Sequence, residues 1–409
     1  MHDPTDRPYD IVIFGATSFV GQILCRYMDQ RHGQSGPLRW AIAGRDSEKL
    51  QLLSEDLGLT VDHLIADVED NASVDTLVNS TNVIVSTVGP YALYGSAVVA
   101  AAVAAGTDYC DITGEPHWMQ QMIDAHQEDA TRTGARIVQA CGFDSIPSDL
   151  GVAFTQQKAL ELLGEHCHQI SMRVKAIKGT ASGGTIASML NIVEDASSDP
   201  ELRRILSNPY ALAPEGMRTG VRQHNVTVPM RDEASGRWVA PFVMASVNTR
   251  VVHRSHALRG RPWGEDFLYD EAVLSGTGAM GIAKAGAMSG GIGAFMAASS
   301  VAPLRKLLAE KVLPKPGEGP SSEAQAAGFF DIRFYGTTQS GATLTTKVTG
   351  DRDPGYGSTA KMLGEAAFAL LHADPADTPG GFWTPATGLG LSLIDPLAEH
   401  AGLDFSIVD

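Results

Sequence analysis

Asp10-Ile11-Val12-Ile13-Phe14-Gly15-Ala16-Thr17-Ser18-Phe19-Val20-Gly21 is an apolar run that ends in a glycine turn and continues into a segment bearing Val20, Ile23, Leu24, Tyr27 and Met28. Such a run reads as a first β-strand handing over to a helix. The turn lets backbone approach a pyrophosphate, and the free N–H groups and partial positive charge of the helix N-terminus favour that anion. The stretch therefore predicts a dinucleotide site built from Gly15, Thr17, Ser18, Phe19, Val20 and Gly21. The glycine spacing is incomplete, because Ser18 fills the middle place usually held by glycine.

Working outward, apolar runs recur at 11–14, 38–43, 61–65, 83–86 and 137–139, and helical patterns at 47–57, 97–105 and 118–131 lie between them. Regular alternation predicts an α/β fold, with a Rossmann-type parallel sheet whose ligands bind at its carboxyl edge. This domain is expected to span 1–150, where a helix starting near Pro147 leaves the sheet. The pattern then changes. Residues 170–178 alternate like an exposed strand, 185–193 reads as a helix and 207–231 as a loop. Two strands at 329–338 and 343–349 flank Gln339-Ser340-Gly341, a hairpin signal. Pro314-Lys315-Pro316-Gly317-Glu318-Gly319-Pro320 reads as a stiff connector. An α+β domain for substrate and dimerisation over 151–355 fits, followed by a helix and tail over 356–409 that pack back on the body.

Composition narrows the partners. A chain of 409 residues exceeds one ordinary core, which favours two domains. Apolar content of 44% with 19% charged residues is globular. A net charge of −16 argues against nucleic acid, which needs clustered cations. The polar, acidic start Met1-His2-Asp3-Pro4-Thr5-Asp6 does not read as a secretory signal, and a cytoplasmic setting is expected. Cys25, Cys110, Cys141 and Cys167 have no C-x-x-C spacing and read as buried thiols of a reducing compartment. His166-Cys167-His168 resembles a metal motif only in composition, since consecutive side chains diverge; no metal site is expected.

The chemistry concentrates at predicted strand ends. The second strand runs into Ala43-Gly44-Arg45, with no acidic residue to accept from a ribose 2′-hydroxyl. Arg45 can instead fork onto a 2′-phosphate, a charge-assisted bond that contributes about 1.5–3 kcal/mol, or it can pair with Asp46 or Glu48. NADPH is the expected cofactor. Asp67 follows the third strand and either accepts from an adenine amino group or caps a helix. After the fourth strand, Val88, Gly89 and Pro90 form a turn suited to the nicotinamide ribose, with Tyr91 and Tyr94 beside it; a packed tyrosine is the plainer reading. Asp108-Tyr109-Cys110-Asp111-Ile112-Thr113-Gly114-Glu115 gathers carboxylates at a fifth strand end, and Asp144 and Ser145 project from a sixth.

Taken together, Gly15-Ala16-Thr17-x-Phe19-Val20-Gly21, Ala43-Gly44-Arg45, Val88-Gly89-Pro90-Tyr91, Asp108-Tyr109-x-Asp111-x-Thr113-Gly114-Glu115 and Gly142-Phe143-Asp144-Ser145-x-Pro147-Ser148-Asp149 resemble the saccharopine dehydrogenase-like oxidoreductases. Ser182-Gly183-Gly184-Thr185-Ile186-Ala187-Ser188, Lys315-Pro316-Gly317-x-Gly319-Pro320 and Asp353-Pro354-Gly355-Tyr356 extend the resemblance over nearly the whole chain. It is strongest to the trans-acting enoyl reductases of actinobacteria. The resemblance implies an NADP-binding Rossmann domain, an α+β domain, and reduction of a carbon–carbon double bond on a polyketide or fatty-acyl chain in complex-lipid (glycolipid) synthesis. A synthase carrier domain would present that chain. Tyr91 is the expected oxyanion donor, with Asp144 and Ser145 next. Two rival readings are an imine-forming amino-acid dehydrogenase of the same architecture, and a non-catalytic lipid-associated scaffold. A homo-oligomer is expected.

One further stretch bears on the lipid reading. Residues 272–304 are rich in glycine and alanine and carry one charge, Lys284, before the basic run Arg305, Lys306, Lys311 and Lys315. About twenty such residues can span a bilayer, yet small side chains make poor membrane hydrophobicity. A buried helix pair, a wall of an acyl tunnel and a hairpin lying on anionic lipid at the inner membrane face are the three readings.

Overall fold

Fourteen strands, assorted into two sheets, carry the architecture of the computed structural model, which describes residues 7–179, 183–311 and 319–408. In the first half they are β1 (Tyr9–Phe14), β2 (Trp40–Gly44), β3 (His63–Ile65), β4 (Thr81–Ser86), β5 (Asp108–Asp111) and β6 (Arg136–Val138). Then come β7 (Cys167–Lys178), β8 (Met230–Arg231), β9 (Trp238–Pro241), β10 (Leu268–Gly276), β11 (Phe329–Thr338), β12 (Thr343–Gly350), β13 (Gly381–Trp383) and β14 (Leu403–Ile407).

The first sheet is parallel, in the order β13-β6-β5-β4-β1-β2-β3. Strands covered on both faces read as unbroken apolar runs, and Ile11 to Phe14 are buried accordingly. The order reverses beside β1, so a crevice opens at the carboxyl ends of β1 and β4. The C-terminal part completes this layer. Helix Thr359–His372 packs on helix Phe19–His32, where Tyr27 donates to Glu365 at 2.5 Å, and β13 adds the last strand beside β6.

The second sheet is mixed, in the order β14-β12-β11-β7-β10-β9-β8. Here β7 is central rather than exposed. Its alternating pattern misleads because Arg173 is buried within it, bridged at 2.7 Å to both Asp232 and Asp270. The hairpin of β11 and β12 forms as its sequence predicts. Residues 1–6, Ser182 and the segment 312–318, which includes Lys315, lie outside the described residues.

The glycine- and alanine-rich stretch is not a buried helix pair. It divides into the end of β10, helix Gly278–Ser300 and, after a bend of 115°, helix Ala302–Lys311. Only Gly281, Ala285 and Ser299 of the long helix are buried, while the larger Met280, Ile282, Met288 and Met296 are exposed. Arg305 turns inward to Glu194 at 2.7 Å, tying this unit to helix Gly183–Ser198. No single described helix is long and apolar enough to cross a membrane.

Candidate active site

A cleft of about 1660 Å³ runs from the carboxyl ends of β1, β2 and β4 to the second sheet and the helices that cover it. At one end the glycine turn leaves β1. Gly15 has a φ of +88°, and a Cβ there would meet Thr87 Oγ1 and Val88 at 2.8 Å. A Cβ on Gly21 would fall 2.3 Å from the Gly15 carbonyl oxygen, so Gly21 packs the helix start onto the turn without lining the cleft. Thr17, Ser18, Phe19 and Val20 do line it. Ser18 has an ordinary negative φ of −67°, which removes any need for glycine. Its hydroxyl accepts from the Gly21 N–H at 2.9 Å and bonds Thr87 at 2.9 Å, capping the helix and joining the turn to the end of β4.

Past β2, Arg45 and Lys49 line the cleft. Asp46 caps helix Ser47–Leu57 through the Lys49 N–H and pairs with Lys49 at 3.5 Å. Among the described residues no carboxylate pairs with Arg45. Asp67 reaches the cleft as well, one of its oxygens accepting from the Glu69 N–H. A backbone cradle that a Cβ would fill, a capped helix N-terminus and an uncommitted guanidinium beyond β2 together fit a dinucleotide carrying a 2′-phosphate.

The inner end is framed by Val88, Gly89, Pro90 and Tyr91 on one side and by Phe143 and Asp144 on the other. Glu115, wholly buried, accepts the Tyr91 and Ala92 N–H groups at 2.9 Å each and the Ser188 hydroxyl at 2.7 Å. The Tyr91 hydroxyl is already engaged by main chain. It donates to the Ser86 carbonyl at 2.9 Å and accepts from the Ile112 N–H at 3.3 Å, and burial beside Asp111 raises its pKa well above 10. Asp144 faces the cleft. Burial, reinforced by Asp111, pushes its carboxyl up to about 7. Ser145 is fully buried and does not line the cleft; its hydroxyl donates to Asn248 Oδ1 at 3.0 Å.

Of the remaining walls, the sequence marks only 272–304, for which the wall of an acyl tunnel is one of three readings. Tyr269 and Glu271 on β10 line the cleft, the Tyr269 hydroxyl donating to Glu271 at 2.7 Å. Met189, Ile192 and Val193 of helix Gly183–Ser198, Leu206, and Ile292 and Met296 of helix Gly278–Ser300 give the far half an apolar surface.

This geometry agrees with the relatives. The NADP-binding domain family of saccharopine dehydrogenase matches residues 11–138. A Mycobacterium tuberculosis relative is 39% identical over 406 residues, covering 96% of each chain. The trans-acting enoyl reductase of Mycobacterium ulcerans is 37% identical over 408 residues, again with 96% of each chain covered. The chain belongs to the saccharopine dehydrogenase-like oxidoreductases. Within them it falls in the branch of the trans-acting enoyl reductases. The saccharopine dehydrogenase (L-Glu forming) of Saccharomyces cerevisiae shares the fold, with a TM-score of 0.50 at 12% identity over 98% of this chain and 100% of that one. The oxidoreductase uses NADP(H).

Proposed function

We propose that this oxidoreductase reduces the carbon–carbon double bond of an α,β-unsaturated fatty-acyl or polyketide thioester, presented by a synthase carrier domain, in complex-lipid synthesis. The observation that carries this reading is the wall of the cleft beyond the cofactor turn. Met189, Ile192, Val193, Leu206, Ile292 and Met296 give an acyl chain an apolar path, worth about 25 cal/mol per Å² of surface removed from water. The names of the mycobacterial relatives support the same chemistry. An imine between two amino acids would instead need cations for several carboxylates. The Arg250 guanidinium, on the same wall, is directed at the Ser246 and Leu206 carbonyls.

NADPH, when bound, supplies the hydride. The residues of the chain hold the rest of the reaction. Gly15 to Val20 and the capped helix seat the pyrophosphate, and Arg45 with Lys49 takes the 2′-phosphate. Val88 to Tyr91, fixed by Glu115, place backbone at the inner end, with Tyr91 as a positioning residue. Asp144 gives a proton to the α-carbon: its O–H breaks, the C–H forms, and the enolate electrons that make this bond leave the carbonyl restored. Turnover of NADPH with an enoyl thioester, set against 2-aminoadipate semialdehyde plus glutamate, tests the reading. Turnover with the amino-acid pair alone would replace it with the dehydrogenase reading.

A further inference from the structure

Addition of a hydride equivalent to the β-carbon of an enoyl thioester leaves negative charge on the carbonyl oxygen, and that charge needs a fixed donor. With the Tyr91 hydroxyl turned to Ser86, the donor must come from elsewhere in the cleft. Four side chains make a connected row beneath it. Ser145 Oγ donates to Asn248 Oδ1 at 3.0 Å, Asn248 Nδ2 donates to Glu271 Oε2 at 3.0 Å, and Glu271 Oε1 bonds the Tyr269 hydroxyl at 2.7 Å. All four are buried, and the last two line the cleft. Gln223 Oε1 fixes the Tyr269 backbone through its N–H at 3.0 Å.

We propose that Tyr269 is the oxyanion donor of this cleft and that Ser145, Asn248 and Glu271 form a one-way hydrogen-bond chain that aims its proton at the substrate. The role rests on the enoyl reductase reading given above. The direction follows from the chemistry of the donors. Ser145 occupies the Asn248 oxygen, so the Asn248 amide must present its N–H₂ to Glu271. When Glu271 is protonated, its O–H faces the Tyr269 oxygen and the phenol proton is released toward the cleft. When Glu271 is ionised, it takes that proton as an acceptor and the cleft loses its donor.

Burial lifts the Glu271 carboxyl to about 7 against the bonds from Tyr269, Ser148 and Asn248, and the neighbouring Asp270 adds to the rise. Asp270 itself is held by Arg173. The switch therefore falls near neutral pH. Tyr269 is the catalytic residue; Glu271, Asn248 and Ser145 are positioning residues.

Glu271→Gln is the informative variant, because a glutamine held by Asn248 presents its own N–H to Tyr269 at every pH. Its kcat/KM should keep the decline that Asp144 ionisation causes through about 7 and lose the contribution of Glu271, so the two-proton fall of wild type becomes a one-proton fall. Tyr269→Phe should lower kcat by about 10²–10³ with NADPH affinity, read by nicotinamide fluorescence, unchanged. In the cofactor-free protein the raised carboxyl adds stability that is full below about 4.5 and lost as pH rises through about 7. The melting temperature of Glu271→Gln should therefore gain on wild type across that window. Wild-type turnover in Tyr269→Phe, or a melting-temperature difference between Glu271→Gln and wild type that stays flat with pH, would overturn the proposal. Wild-type inactivity on all enoyl thioesters would overturn the functional reading instead, and the melting titration would still judge the chain.

Discussion

The Ser188 hydroxyl donates at 2.7 Å to Glu115 Oε1, the carboxylate oxygen that also accepts the Tyr91 N–H of the cofactor turn. One buried acid thus holds the inner end of the nucleotide site and a helix of the far wall together. Glu115→Ala would orphan two main-chain N–H groups, each costing about 1–3 kcal/mol when buried. Chemical denaturation should show a loss of several kcal/mol. Ser188→Ala keeps those bonds, so it should raise the KM for the acyl substrate while the NADPH Kd stays put. A change in NADPH affinity alone would show that Ser188 serves the cofactor.

Cofactor choice should rest on Arg45. Removing its fork from a 2′-phosphate should weaken NADPH by about 10- to 150-fold. NADH binding to Arg45→Ala should remain near wild type, measured by fluorescence titration at a fixed ionic strength. Lys49→Ala should produce a smaller loss in the same direction, since Lys49 already pairs with Asp46. Equal losses for both nucleotides would assign Arg45 a structural role.

Ser18 gives a stability test of the incomplete glycine pattern. Ser18→Ala removes the cap on helix Phe19–His32 and should cost about 1 kcal/mol, whereas Ser18→Gly should cost only a few tenths. Gly21→Ala should be far worse, because its Cβ would fall against main-chain oxygen at 2.3 Å. Thermal unfolding should show the smallest loss for Ser18→Gly, a larger one for Ser18→Ala and the largest for Gly21→Ala.

Asp144 contributes to the alkaline limb, in the same window as Glu271. With its carboxyl pushed up to about 7, the proton-donating form is abundant below neutrality and lost as pH rises through about 7. Asp144→Asn should therefore reduce kcat by about 10²–10⁴ with NADPH affinity preserved. A variant of unchanged kcat would remove Asp144 from the proton path.

The nucleotide half was legible because local chemistry dictates it: a strand, a positive-φ glycine and a capped helix need few residues and no distant partner. Of the acyl half only 272–304 was marked, as one of three readings. Helix Ala245–Leu258 carries Asn248, Arg250, His253 and Arg254 on buried faces, so no apolar stripe marks it. Tyr269 and Glu271 precede the uncharged run that dominates the pattern of 272–304, and their meaning depends on Asn248 from another element. The direction of the Tyr91 hydroxyl is set by Ser86 and Ile112, a tertiary fact that spacing cannot carry. Likewise β13 reaches β6 from well over two hundred residues away.

The most direct test is a single-turnover reaction of the purified protein with a long-chain enoyl thioester and NADPH deuterated at the transferred position, followed by mass spectrometry. Enoyl reduction gives a saturated thioester with deuterium at the β-carbon and a solvent proton at the α-carbon. Unreacted thioester from a protein that binds NADPH tightly would contradict the account.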